Sequence, residues 1–287
     1  MTKDKIVTMV WAGGSNFYDN TSDIVALASV IPQSLASFTG NPFSTCCSTP
    51  DKGRVQAMNG KVVLSFGGSG ASESGWQEMM ADGIDAWYQE FENLFEKTGI
   101  QGIDWDLEEL SPGSKVFDFV GELSAKLQGK GGTVTFTFFG NPDNPAFPPQ
   151  SFLDNYSDAC TYAPIMLYNG GMWVPSTWGS WCDYAEKTKS RLSENMLKKV
   201  LFGLYPKGGD IPCCGACVAK ALEFVDTGFG SGVAFWCSDG WLGSCTQGAK
   251  IVDALVKTIQ AGETTLDDLN AAYPDCKGAT AENGCGE

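Results

Sequence analysis

Residues 102–110 read GIDWDLEEL. Three acids, Asp104, Asp106 and Glu108, alternate with Ile103, Trp105 and Leu107. Successive side chains of an extended strand point to opposite faces, so the acids share one face and the large apolar groups the other. Neighbouring acids then lie about 6.6 Å apart, at roughly 3.3 Å per residue. Like charges on one face repel, which destabilises a strand unless the carboxylates have a task. One reading is a solvated edge strand with a charged outer face. The other is a strand covered on both sides, its apolar face against helices and its acids inside a barrel. In that low-dielectric setting the three cannot all ionise easily, and at least one is pushed up. A glutamic acid held protonated at mild pH is what general acid catalysis needs.

The flanking sequence favours the barrel. Short apolar runs recur at Ile6–Trp11, Ile24–Ser29, Lys61–Phe66, Gly102–Leu107, Thr133–Phe139, Ala163–Tyr168, Val200–Tyr205 and Gly232–Trp236. Several lack polar alternation, as strands covered on both faces do. Helical periodicity falls between them. Trp76–Lys97 places Met79, Ile84, Trp87, Phe91, Leu94 and Phe95 at helical spacing, and Lys115–Leu127 repeats the pattern. Tyr184–Leu197, Val218–Val225 and Lys250–Ile259 follow. Eight strand–helix units in a chain of this length predict a single (β/α)8 barrel over 1–262, with its active site at the C-terminal ends of the strands. The connection at Gln33–Asn59 is long, and two doubly wound domains are the alternative, although no linker divides the chain. From residue 263 to 287 the sequence turns polar and reads as a Cys-containing tail.

Composition narrows the chemistry. The 287 residues carry a formal net charge of −15, which disfavours nucleic acid and anionic membranes as partners and suits a neutral or cationic ligand. No apolar run approaches the roughly 18 residues of a spanning helix. Met1–Lys5 leads straight into Ile6–Trp11, too short a stretch for a secretory signal, so either the chain is not exported or its leader has been removed. There is no histidine. That excludes serine–histidine and cysteine–histidine mechanisms and histidine metal sites, and leaves acid–base work to carboxylates.

The eleven cysteines are an odd number. Cys213, Cys214 and Cys217 have a spacing that thiolate metal sites use, but no second pair completes a four-ligand set. Disulfides stapling the loops are the main expectation, with an extracellular or secretory compartment and at least one thiol left over.

With these residues in view, QGIDWDLE at 101–108 resembles the fourth-strand signature of glycoside hydrolase family 18, the chitinases and endo-β-N-acetylglucosaminidases. That signature runs Asp-Gly-apolar-Asp-apolar-Asp-apolar-Glu. Positions 102–108 follow it, and Gln101 stands where the family has an Asp that supports the other acids. That departure bears on the fine tuning of Asp104 and leaves the proton donor in place. KVVLSFGGSG at 61–70 resembles the third strand, with Ser65, Gly67 and Gly68 at its end. IMLYNG at 165–170 resembles the sixth, which places Met166, Tyr168 and Asn169 in the cleft. GVAFWCSDGW at 232–241 resembles the eighth, whose Trp236 forms the floor under the reacting sugar.

The resemblance implies a retaining, substrate-assisted cleavage of β-1,4 N-acetylglucosamine links, without metal or cofactor. Glu108 is implied as proton donor and then base. Asp106 is implied to orient the 2-acetamido group, Asp104 to share a proton with Asp106, and Tyr168 to hold the acetamido carbonyl. Trp11 and Trp173 add aromatic surfaces for sugar stacking, with Trp178, Trp181 and Trp241 near by. The connection 206–231 is too short for the α+β insertion of many members, which implies a shallow groove on a monomeric chain. An endo-β-N-acetylglucosaminidase acting on N-glycans shares these acids. A non-catalytic chitin-binding lectin or inhibitor shares the fold but typically loses the acid at the position of Glu108.

Overall fold

The computed structural model describes residues 6–12, 17–18, 21–108, 110–111, 113–167, 186–204, 215–237, 245–262 and 264–272. Eight parallel strands close into one barrel in chain order. They are β1 (Val7–Ala12), β2 (Ile24–Val30), β3 (Lys61–Gly67), β4 (Gly102–Asp106), β5 (Thr133–Phe139), β6 (Ala163–Met166), β7 (Val200–Leu204) and β8 (Gly232–Cys237). β1 closes the ring on β8 with Trp11 level with Trp236. The expected (β/α)8 architecture is therefore the observed one, and each expected strand is present within a residue or two at its ends.

Strand parity divides the interior into two regions. One parity faces the helices. There Phe66 and Trp105 meet Phe38, Trp76, Trp87 and Phe91, all essentially without solvent exposure. The helix Ile84–Thr98 supplies Trp87, Phe91 and Leu94 at helical spacing, so one apolar stripe covers β3 and β4. The buried indole of Trp105 donates to Ser124 Oγ at 2.8 Å, so its polar edge is satisfied. The other parity fills the lumen. Met9, Ile24, Ala26, Val63, Leu201 and Ala234 pack with Trp11 as an apolar plug. Above the plug the lumen turns polar at β3, β4 and β5, where Ser65, Asp104 and Thr135 stand in register.

Three local readings change. The long helix expected over Trp76–Lys97 is two, Glu73–Asp82 and Ile84–Thr98, because Gly83 at φ 83° ends one and begins the next. The long connection after β2 holds two short helices, Leu35–Gly40 and Lys52–Ala57. The polar end of the chain carries the helix Leu266–Ala272, which packs on the helix Gly215–Asp226 with Leu269 fully buried.

The metal-type cluster Cys213, Cys214 and Cys217 lies outside the described side chains. Cys46, Cys47 and Cys160 are described and are free thiols. The Cys46 and Cys47 sulfurs are 2.7 Å apart, and that contact pushes the Cys46 thiol upward. Among the described residues the expected disulfides are not found.

Candidate active site

The alternation at 102–110 does what its parity predicts. Ile103, Trp105 and Leu107 join the apolar layer under the helices. Asp104 and Asp106 face the lumen at 0% and 1% exposure. Glu108 lies past the end of β4, half-buried, toward the rim where such barrels place their chemistry.

Asp104 is held from three other strands, its two neighbours β3 and β5 and the more distant β1. Its Oδ1 accepts from Thr135 Oγ1 at 2.5 Å and Thr137 Oγ1 at 2.7 Å. Its Oδ2 accepts from Ser65 Oγ at 2.7 Å and from Trp11 Nε1 at 2.8 Å, the indole reaching over from β1. Burial pushes this carboxyl up, and the four donors offset only part of that rise, so it stays above the usual aspartate value.

Asp106 has no comparable support. Its Oδ1 is buried and accepts no hydrogen bond from the protein. Burial, the charge of Glu108, the charge of Asp104 and a hydrogen bond with Glu108 together raise it well above the usual carboxylate range. Asp106 therefore retains a proton into milder pH than a free aspartate, beside the carboxyl of Glu108 to which it is hydrogen-bonded.

The two glycines ending β3 make room for this pair. Gly67 has φ 116°, and a Cβ there would lie 2.0 Å from the carbonyl oxygen of Asp106. Gly68 has φ 85° and donates its N–H to that same oxygen at 3.0 Å. Its missing Cβ would stand 3.2 Å from Asp106 Oδ2. Gly67→Ala is expected to destabilise the fold by about 2–4 kcal/mol, combining a disfavoured φ with a backbone clash. Gly83→Ala, at similar φ but with nothing within 4 Å, is the control and costs about 1 kcal/mol. Equal denaturant midpoints for the two variants would remove the close-approach argument.

Gln101 serves the backbone of β3. It sits at the start of β4, three residues before Asp104, and its Oε1 accepts from the backbone N–H of Val62 at 2.7 Å. An amide oxygen serves there as well as a carboxylate would. The shift of Asp104 comes from its burial first, and then from the opposing donors Thr135, Thr137, Ser65 and Trp11.

The other expected site residues divide three ways. Trp11 is 1% exposed and spends its N–H on Asp104, so it underlies the site and supports the acids. Trp236 is half-buried beside it, with ring centroids 5.9 Å apart. Met166 is buried against Phe139 and Ala146 at the end of β6. Tyr168, Asn169 and Trp173 lie outside the described residues. Thr135 and Thr137 were not anticipated. Their signal was in TVTFTFF, where threonine recurs at every second position of β5.

No family model and no curated protein matches this sequence. Solved structures do match the fold. A GH18 chitinase from Pseudoalteromonas aurantia superimposes with TM-score 0.61 at 13% identity, over 80% of this chain and 93% of that one. A GH18 chitinase of Flavobacterium johnsoniae gives TM-score 0.54 at 14% identity, over 98% and 99%. Concanavalin B gives TM-score 0.54 at 15% identity, over 80% and 92%. At such identities the likeness is one of fold, and fold leaves function to the site. The chain is a single (β/α)8 barrel of the form shared by these GH18 chitinases and concanavalin B.

Proposed function

We propose that the chain is a retaining glycosidase that cleaves β-1,4 links between N-acetylglucosamine units, in chitin or its oligomers. The observation that carries this reading is the pairing of buried Asp106, its Oδ1 unengaged by the protein, with half-buried Glu108 nearer the rim. Glu108 protonates the leaving glycosidic oxygen. The bond from that oxygen to the anomeric carbon breaks as the substrate's own acetamido oxygen closes on the same carbon, giving an oxazolinium ion. Glu108, now a carboxylate, takes a proton from the water that opens the ring. The displacement occurs twice at one carbon, so configuration is retained. Family 18 of this kind stands apart from the two-carboxylate scheme for that reason.

Asp106 Oδ1 accepts the acetamido N–H, turning the carbonyl oxygen toward the anomeric carbon and offsetting the positive charge that develops. A neutral sugar suits a chain of net charge −15 with an acid-lined lumen. The ring of Trp236 offers an apolar face for stacking. In this reading Tyr168, Asn169 and Trp173 add contacts to the same sugar, and the chain works as a monomer in an extracellular or secretory compartment.

The test is a time course on N-acetylglucosamine oligomers followed by NMR of the anomeric protons. The expected result is new reducing ends that appear first as the β-anomer. An initial α-anomer would exclude the substrate-assisted route. Binding without turnover would make the chain a lectin, and release of glycan from a high-mannose glycoprotein alone would move the substrate to N-glycans.

A further inference from the structure

The donors around Asp104 and Asp106 are distributed very unequally. Asp104 accepts four hydrogen bonds between 2.5 and 2.8 Å, two on each oxygen. A carboxylate offers about four such sites, so Asp104 is saturated. One of its donors, the Trp11 indole, cannot act as an acceptor. Were Asp104 neutral, its own proton would occupy one of these positions. One hydroxyl would then have to turn its hydrogen away and accept that proton, and the carboxyl would lose one of its four donors. Asp106, by contrast, receives nothing on Oδ1 and faces two other acids.

We infer that Thr135 and Thr137 are positioning residues: with Ser65 and Trp11 they fix Asp104 as an anion at neutral pH and so confine the mobile proton to the Asp106–Glu108 pair. This departs from the expectation that Asp104 shares a proton with Asp106. It rests on the proposed function only for its kinetic consequence. The two threonines are in register with the two aspartates, Thr135 beside Asp104 and Thr137 beside Asp106, yet both hydroxyls turn to the same oxygen of Asp104. A fixed anion below the pair holds the pair's proton more tightly, which keeps the acid form of Glu108 available toward neutral pH.

Among the described residues the ionisable groups near Asp104 are few. On its own segment they are Asp106 and Glu108. From the β5–β6 side come Tyr162, which packs into the lumen plug, and the Cys160 thiol, pushed up to about 12 by burial and sensitive to the charges of Lys199 and Asp104. The remaining neighbours, Trp11, Ser65, Thr135 and Thr137, do not titrate in the working range.

The experiment is a pH titration of the aspartate carboxyl carbons by NMR on the labelled full chain, with Asp104→Asn used to assign the resonance. Asp104 is expected to ionise before the Asp106–Glu108 pair and to be an anion at neutral pH. In Thr135→Val/Thr137→Val its midpoint should rise by at least about one pH unit, since two of the bonds favouring the charged form are gone. Thr135→Ser/Thr137→Ser keeps the hydroxyls and should restore it. A merely structural role would not produce that hydroxyl-dependent shift. The basic limb of kcat/KM on N-acetylglucosamine oligomers should also move to lower pH in the valine pair and return in the serine pair. A protonated Asp104 at neutral pH in the unmodified chain, or a midpoint unmoved in a folded valine pair, overturns the inference. If the chain proves not to hydrolyse these sugars, the proposed function fails, while the carbon titration still decides the state of Asp104.

Discussion

Glu108→Gln is expected to lower kcat on N-acetylglucosamine oligomers by roughly 10³–10⁴-fold while leaving oligomer affinity within a few-fold of the unmodified chain. The amide matches the carboxyl in size but has no proton to give the leaving oxygen. Binding survives because the proposed sugar contacts lie on the walls and floor of the site, at Trp236 and Asp106. Glu108 is half-buried past the end of β4, so the change leaves the lumen packing untouched and should shift thermal stability little. Single-turnover kinetics beside calorimetric binding separates the two effects. Retention of most of the turnover would mean that some other group protonates the leaving oxygen, and the assignment of Glu108 would be lost. Loss of turnover together with binding would instead place Glu108 in recognition.

The strands were the most legible part of the sequence, for a physical reason. A strand covered on both sides must be apolar on its helix-facing parity whatever its lumen parity does, and Ile103, Trp105 and Leu107 met that demand while the acids between them did not. The break at Gly83 was less legible, because Met79, Ile84 and Trp87 keep a helical rhythm through it and only a positive φ separates the two helices. The signature acids came from local pattern, since all three lie within five residues of one another. Their support did not. Trp11 and Asp104 are 93 residues apart in sequence and meet only when the barrel closes. Thr135 and Thr137 gave a period-two signal, but threonine is at home in any strand, so the signal named no role. Gln101, where the strand leaves the pattern, serves the backbone of β3 at the other end of the strand, a partner that no local pattern names.

Asp106→Asn is expected to lower activity by about 10²–10³-fold and yet to stabilise the folded chain at neutral pH. The activity falls because the asparagine has no charge to offset the developing oxazolinium ion. The stability argument follows from the direction in which the site moves this carboxyl. Its folded pKa is raised, chiefly by burial and then by the charges of Glu108 and Asp104. Below the unfolded value of about 3.9 both states are protonated and the group is neutral to folding. As pH rises from there toward the folded pKa, the native chain retains a proton that the unfolded chain has released, so unfolding free energy declines, by about 1.4 kcal/mol for each unit between the two values. Above the folded pKa that loss is complete. Asparagine does not titrate and can donate to Glu108, so the variant escapes the decline. Melting temperatures of the two proteins should therefore converge near pH 4 and separate as pH approaches 7, the variant being the more stable. The comparison reads Asp106 together with its effect on Glu108 and Asp104, because the chain's other carboxylates are common to both proteins. Parallel curves would mean that Asp106 titrates normally and that its burial beside two acids costs the fold nothing. Divergence in the expected sense would make the least supported carboxyl in the lumen both the one that folding tolerates worst and the one that catalysis needs unengaged.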